Sequence, residues 1–361
     1  MPNQSQANDD PLVIHTLSQL TLNPESADWA VDYVNELPDD ERQVFVSVAD
    51  SNHVVVRASE AVVSKADQDC ELGKWAGMLI LQQEQRIQNA LAFLQGICQE
   101  LEEACCPTTV MKSLDHWPDL GNDLDLFTTA DDSRVKEVML GRMGAHMEPR
   151  SWGDRLANKW NFCVPGLPES IEVHVKRLGQ TGEHTAMARR LVTRRVPKTV
   201  GSFTFLIPAP EERVIVTALQ RMYRHFYFRV CDIADTVALL ESGELDFAEM
   251  RRAADMGGIW EGVATFLKIV CDYAREYRGF APALPAGVLA AARFGGDVIH
   301  VAGKFLRVPI LPHSAELYTR QVANVALRGD VPATCRLSLL PYLASAAAVA
   351  YKVTGSDKGV W

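Results

Sequence analysis

Residues 112–127 read KSLDHWPDLGNDLDLF. Four aspartates fall within this stretch, Asp115, Asp119, Asp123 and Asp125, and the run then closes on apolar residues. Like charges this dense repel one another, so water or a cation must offset them. If DLDLF is a strand, its side chains alternate between faces. Asp123 and Asp125 then share one face, and Leu124 and Leu126 share the other. The leucines enter a core, while the two carboxylates point out together. That pair is a seat for Mg²⁺, which takes hard oxygen ligands and keeps several waters. A bare DxD is a weak signal on its own, because a solvated acidic strand end needs no partner.

Three neighbouring features strengthen the metal reading. Upstream, TTVMKS is short and β-branched, a strand leading into a turn at Lys112-Ser113. A strand, a tight turn with a small hydroxyl residue, a short helix and a DxD strand together make a phosphate cradle beside a metal seat, since backbone N–H groups at a helix start bind anionic oxygens. Downstream, Glu172 in SIEVHV offers a third carboxylate from another strand. After it comes a basic stretch holding Lys176, Arg177, Arg189, Arg190, Arg194, Arg195 and Lys198. The net charge is −10, yet residues 150–229 hold 14 Lys and Arg against 6 Asp and Glu. This local excess of eight positive charges suggests a local anion site able to neutralise a triphosphate, within a chain otherwise too acidic to coat nucleic acid.

With these residues in place, VMKSLDHWPDLGNDLDLF followed by IEVHV resembles the DNA polymerase β-type nucleotidyltransferase superfamily. That superfamily has a small turn of hG[GS] type, a DxD strand and a third acid. The chain is more closely similar to the bacterial "uncharacterised nucleotidyltransferase" family, through LAFLQGICQELEEACCPTTVMKS, GNDLDLF, IEVHV and RMYRHFYFRVCDIADTVALL. The resemblance spans about residues 75 to 275. It departs from the superfamily pattern in two places: Lys112 stands where glycine is usual, and the third acid is Glu172 rather than aspartate. The resemblance implies two Mg²⁺ ions, or Mn²⁺, on Asp123, Asp125 and Glu172. An acceptor hydroxyl would attack the α-phosphorus of an NTP such as ATP, releasing pyrophosphate. Ser113 would grip the β- and γ-phosphates, with Lys112, Lys176 and Arg190 as further nucleotide contacts. His174, His225 and Asp232 are candidates for the acceptor side.

The implied fold is α+β, with a small mixed sheet forming a polymerase β-like core between helical regions. The expected division is 1–106, mostly helical; 107–208, the nucleotidyltransferase core; and 209–361, a C-terminal helical domain. The sequence is 47% hydrophobic and 23% charged, as in ordinary globular proteins. The start, MPNQSQANDD, reads as disordered and lacks the pattern of a secretion signal. No stretch reaches the roughly 20 apolar residues of a membrane span, so a cytoplasmic location is expected. Eight cysteines show no CxxC pair and read as reduced. The runs VFVSVAD and HVVVRAS look β-like, and Leu72 to Glu103 reads as one long amphipathic helix or two in tandem. From Pro210 the chain reads as helical, ending in LLPYLASAAAVAYK and a polar TGSDKGVW tail.

Plainer readings stand beside these. His174 suits a hydrogen-bonded structural histidine, and His116, Asp115 and Asp119 suit turn positions. His225 and Asp232 are seven apart and would share a helix face, where such residues often only tie helices together. Three functions compete: NMP transfer to a small-molecule acceptor, toxin-like transfer to tRNA or protein, and a catalytically inactive scaffold. The presence of all three acids argues against the last, and the acidic chain favours the first.

Overall fold

The run from Trp75 to Ala104 carries apolar residues at helical spacing and no proline. In the computed structural model it lies within one uninterrupted helix, α5 (Glu71–Glu103), preceded by α1 (Pro11–Leu22), α2 (Asp28–Glu36), α3 (Asp39–Ser51) and α4 (Val55–Lys65). Residues 11–67, 69–178 and 185–354 are described. The expected disorder of residues 1–10 and nearly all of the TGSDKGVW tail lie outside them.

The expectation of β-like runs before residue 60 is corrected. VFVSVAD belongs to α3, and HVVVRAS leads into α4. Arg42, Phe45, Val48 and Ala49 are buried at helical spacing, as are Val55, Ala58, Ser59 and Val62. β-branching lowers helix propensity only by tenths of a kcal/mol per residue, and burial of a continuous apolar stripe outweighs it.

Helix α5 bridges two cores. Its first turns bury Leu72 and Ala76 among α1, α3 and α4, while Ile87, Leu91, Leu94, Ile97 and Leu101 pack against a sheet. It ends where Cys105 turns to φ +57° and the Cys106 N–H returns to the Leu101 carbonyl at 2.8 Å. The sheet elements follow: β1 (Thr108–Met111), β2 (Asp123–Thr128), α6 (Asp132–Lys136), β3 (His146–Met147), α7 (Trp152–Ala157), β4 (Lys159–Cys163) and β5 (Ser170–Val175). The strands lie in the order β1-β2-β5-β4-β3. Only β2 and β5 pair in parallel, with Asp125 opposite Glu172; the remaining pairs are antiparallel. Leu124 and Leu126 pack with α5, whereas Phe127, on the aspartate face, packs with Leu191 and Val216.

Next come α8 (Thr185–Thr193), β6 (Arg195–Val200) and β7 (Phe203–Pro208). The basic run RVPKTV thus forms a strand that the sequence did not announce. It pairs with SFTFLIP across a two-residue turn in which Gly201 takes φ +58°. The remainder is α9 (Pro210–Ala218), extended by a π-helical segment Leu219–His225, then β8 (Tyr227–Phe228), α10 (Val230–Glu241), α11 (Phe247–Met256), α12 (Trp260–Arg278), α13 (Ala286–Ala291), β9 (His300–Ala302), β10 (Phe305–Arg307), α14 (Ala315–Leu327) and α15 (Val331–Thr354). β8, β10 and β9 form a small antiparallel sheet inside the region expected to be helical. The architecture is α+β, with one small mixed sheet and two small antiparallel ones. The core of α1–α4 is continuous with that of α9, α10 and α12. Among the described residues no helix is long and apolar enough to cross a membrane.

Leu126 is fully buried on the α5 side of β2. Leu126→Ala is expected to lower stability by about 2–5 kcal/mol, read as a reduced denaturant midpoint with an unchanged m-value.

Candidate active site

Strand alternation sends Asp123 and Asp125 to one face of β2, and the parallel register sets Glu172 of β5 beside Asp125. The three acids named in the sequence therefore converge on one cavity of about 390 Å³, which they line. Asp125 is buried, whereas Asp123 opens toward solvent within protein walls. Burial, reinforced by the Glu172 and Asp125 charges, pushes the Asp123 carboxyl up to about 6.

The like charges are offset by lysines. Lys112 Nζ lies 2.6 Å from Asp125 Oδ1, and Lys159 Nζ lies 2.7 Å from Glu172 Oε1 and 3.2 Å from Asp154 Oδ1. Burial opposes ionisation of Asp125, but Lys112 and His174 outweigh it and hold its carboxyl well below the usual range. Burial likewise pulls the Lys112 ammonium down, with Asp125 and Glu172 opposing. Lys112 itself takes φ +55° and ψ −56°, close to the strained γ-turn region near φ about +75° and ψ about −65°. A non-glycine residue is held there only where its surroundings overdetermine it; here the 2.6 Å ion pair does so.

Ser113 lines the cavity, but its hydroxyl faces the DxD strand. It accepts the Asp125 N–H at 2.9 Å and donates to the Asp123 carbonyl at 3.3 Å. Its first role is thus to fasten the turn after β1 onto β2. His174 is 1% exposed, and its Nε2 lies 3.2 Å from Asp125 Oδ1. Burial pushes its pKa down, so the ring is a neutral donor beneath Asp125. This corrects its assignment to the acceptor side.

Two expected nucleotide contacts lie elsewhere. Lys176 stands past the far end of β5, paired with Asp131, because four residues of extended chain carry it about 13 Å beyond Glu172. Arg190 is bound to Glu212 and Glu249. Its neighbours in the basic stretch are also engaged, Arg194 with Glu211 and Glu212, and Arg195 with Glu102. Part of the local positive excess is thus matched by acids outside the window, Asp131, Glu249 and Glu102, pairings that local counts cannot reveal.

His225 and Asp232 do line the cavity, though not on one helix face: Phe226 breaks the chain at φ +56° between the π-helical segment and α10. Asp232 is clamped by Arg221 at 2.7 Å and caps α10 through the Arg229 N–H at 2.6 Å. Burial, with Arg224, Arg221 and Arg229 nearby, holds His225 neutral. The cavity wall facing the acids carries residues that sequence reasoning passed over. Arg224 and Arg229 line it, and among the described residues neither makes an ion pair; the Nε of each is buried without a hydrogen-bond partner. Three arginines and a histidine between residues 221 and 229 were the available signal. Lys159 could have been found only from the β4–β5 register.

Among the described residues this cavity therefore pairs most of its acids and leaves two guanidinium groups without an ion pair, a combination suited to an anionic ligand. No family model, curated protein or solved structure matches the chain.

Removing Arg221 strands the buried Asp232 carboxylate, whereas Arg224 and Arg229 have no acid to strand. Arg221→Met should cost about 3–5 kcal/mol, and Arg224→Ala or Arg229→Ala no more than about 1 kcal/mol. Thermal melts of the three variants test the contrast.

Proposed function

We propose that the chain is a metal-dependent nucleotidyltransferase with a polymerase β-like core, moving an NMP from an NTP to a hydroxyl of a small-molecule acceptor. The observation that carries this reading is the register of β2 with β5, which brings Asp123, Asp125 and Glu172 to one cavity opposite two unpaired arginines. Of these acids, Asp125 and Glu172 bring oxygens within 4.8 Å of each other and of an imidazole nitrogen of His174, with Asp123 lining the same cavity; the carboxylate oxygens fit Mg²⁺ or Mn²⁺. Ammonium groups already rest on oxygens of Asp125 and Glu172, so this corner accommodates positive charge. Metal held by Asp123, Asp125 and Glu172 would supply Lewis-acid stabilisation of the phosphoryl charge.

The chain's own residues account for the rest. Arg224 and Arg229 take the anionic oxygens of the triphosphate, as charge placed before the ligand arrives. Lys112 is released from Asp125 as positive charge arrives and is then free to follow the phosphates. His174 and Ser113 hold Asp125 and its strand in place. The acceptor oxygen forms its bond to the α-phosphorus as the bond to pyrophosphate breaks, with positioning and charge supplying most of the rate.

A small acceptor is favoured over tRNA because Arg190, Arg194 and Arg195 are bound to glutamates. A silent binding module is the second reading, favoured by Lys112 and Lys159 lying on the very carboxylates a metal needs.

Incubation with α-³²P-labelled NTPs, Mg²⁺ and mixed acceptors should release pyrophosphate. Asp123→Asn, Asp125→Asn and Glu172→Gln should each reduce this by at least about 100-fold, as expected when transition-state charge stabilisation is lost. Label on tRNA or protein would sink the small-acceptor reading, and NTP binding without turnover in the wild type would favour the silent module.

Metal binding must also displace the proton that Asp123 carries below about 6. Mn²⁺ affinity is expected to rise with pH through about 6 and level off above it. Titration calorimetry from pH 5 to 7.5 reads this directly, and a flat profile would remove Asp123 from the ligand set.

A further inference from the structure

We propose that His116, oriented by Asp235, takes the proton from the acceptor nucleophile in this cavity. The inference rests on the nucleotidyltransferase reading and adds a catalytic residue to it.

His116 ends the short 3₁₀ turn Ser113–His116 that follows β1, so the segment fastened to the DxD strand by Ser113 also carries this ring. Its Nδ1 lies 2.6 Å from Asp235 Oδ2 on α10. Asp235 Oδ1 takes Arg57 at 2.6 Å, and Arg57 also donates to the carbonyls of His116 and Trp117 at 2.8 and 2.9 Å. Side chain and backbone are therefore held together. Burial opposes ionisation of Asp235, but Arg57 and His116 outweigh it and keep the carboxylate ionised. An ionised carboxylate only accepts, so Nδ1 carries the hydrogen, and in the neutral ring the lone pair is on Nε2. Nε2 has no hydrogen-bond partner among the described residues, is not sealed from solvent, and belongs to a ring that lines the cavity.

The other basic groups facing the cavity are less suited. Glu172 already accepts from Lys159, and Asp125 from Lys112 and His174. Among the histidines, His225 sits amid Arg221, Arg224 and Arg229, whose charge opposes protonation. His116 instead has a carboxylate behind it that stabilises the imidazolium. His53 stacks on it at 5.1 Å and is held neutral by burial and by Arg229, so it acts as a plate rather than a competing base. The Cβ of any larger residue at 121 would stand 3.1 Å from His53, which suits Gly121 to that position. The remaining groups around the ring are Arg57, the Cys231 thiol and, on its own turn, Asp115 and Asp119. His116 and Asp235 also lie near the Cys231 thiol, which burial pushes up, and the Arg57 guanidinium holds Asp235.

In the step, the acceptor O–H bond breaks and its proton moves to Nε2 while the oxygen bonds the α-phosphorus. The bond to the leaving phosphate breaks and pyrophosphate departs with its electron pair. The imidazolium, paired with Asp235, returns its proton to water after product leaves.

The test uses the full chain with Mg²⁺-ATP and glycerol or water as the nucleophile, following pyrophosphate release against pH, with Mg²⁺-ATP affinity and melting temperature read in parallel. His116→Gln should lower turnover by about 100- to 10,000-fold with affinity for Mg²⁺-ATP unchanged within about twofold, and added imidazole should restore part of the rate in His116→Ala. Asp235→Asn should move the acid limb of the pH profile, which a purely structural tie would leave in place. Wild-type turnover undiminished in His116→Gln, or an unshifted limb in Asp235→Asn, overturns the role of His116 alone. Absence of pyrophosphate release from the wild-type chain overturns it together with the nucleotidyltransferase reading.

Discussion

Asp125 on β2 and Glu172 on β5 stand side by side because those two strands pair in parallel. Neighbouring strands lie about 4.8 Å apart. Two unit charges at that spacing repel by about 3 kcal/mol at an effective dielectric near 20. Much of the surrounding structure answers that repulsion. Lys112 is drawn onto Asp125 from a strained backbone position, and Lys159 crosses from β4 to Glu172 and Asp154. His174 adds a neutral donor beneath Asp125. A fold selected only for stability would replace such a cluster with apolar residues, since buried ion pairs at best break even against good packing. Its place at a cavity accords with the chemistry proposed for it.

The elements that define this corner were legible because they obey local rules. Period-two alternation separates the aspartates of DLDLF from its leucines, and the 3.6 period marks α5. Glu172 was legible as an acid on a strand, although its partner depends on the parallel register. What escaped depends on contacts between distant parts of the chain. The valines of α3 and α4 look β-forming in isolation and become helical because a stripe of them is buried. The arginines of 189–195 look like a free basic face until Glu102, Glu211, Glu212 and Glu249 are placed against them. His116 and Asp119 look like turn residues, yet Asp119 accepts the Val56 N–H at 2.7 Å at the start of α4, and His116 reaches α10. Local propensity has no access to a partner more than a hundred residues away.

Charge also explains how one cavity can serve a polyanion inside an acidic chain. The acids on its sheet side are largely matched by lysines, while Arg224 and Arg229 on the helical side are not matched at all. Pre-placed charge of this kind costs no reorganisation when the ligand arrives.

The lysines have a defined part under the proposed nucleotidyltransferase reading. Lys112 stays in a backbone conformation that glycine occupies more readily, held there by its 2.6 Å ion pair with Asp125. A strained residue holding a displaceable ion pair is better explained as one of two positions. In one, the ammonium neutralises Asp125 while the cavity is empty. In the other it follows incoming phosphate, and Asp125 takes up a different cation. Such an exchange would keep the site charge-balanced before and after ligand entry.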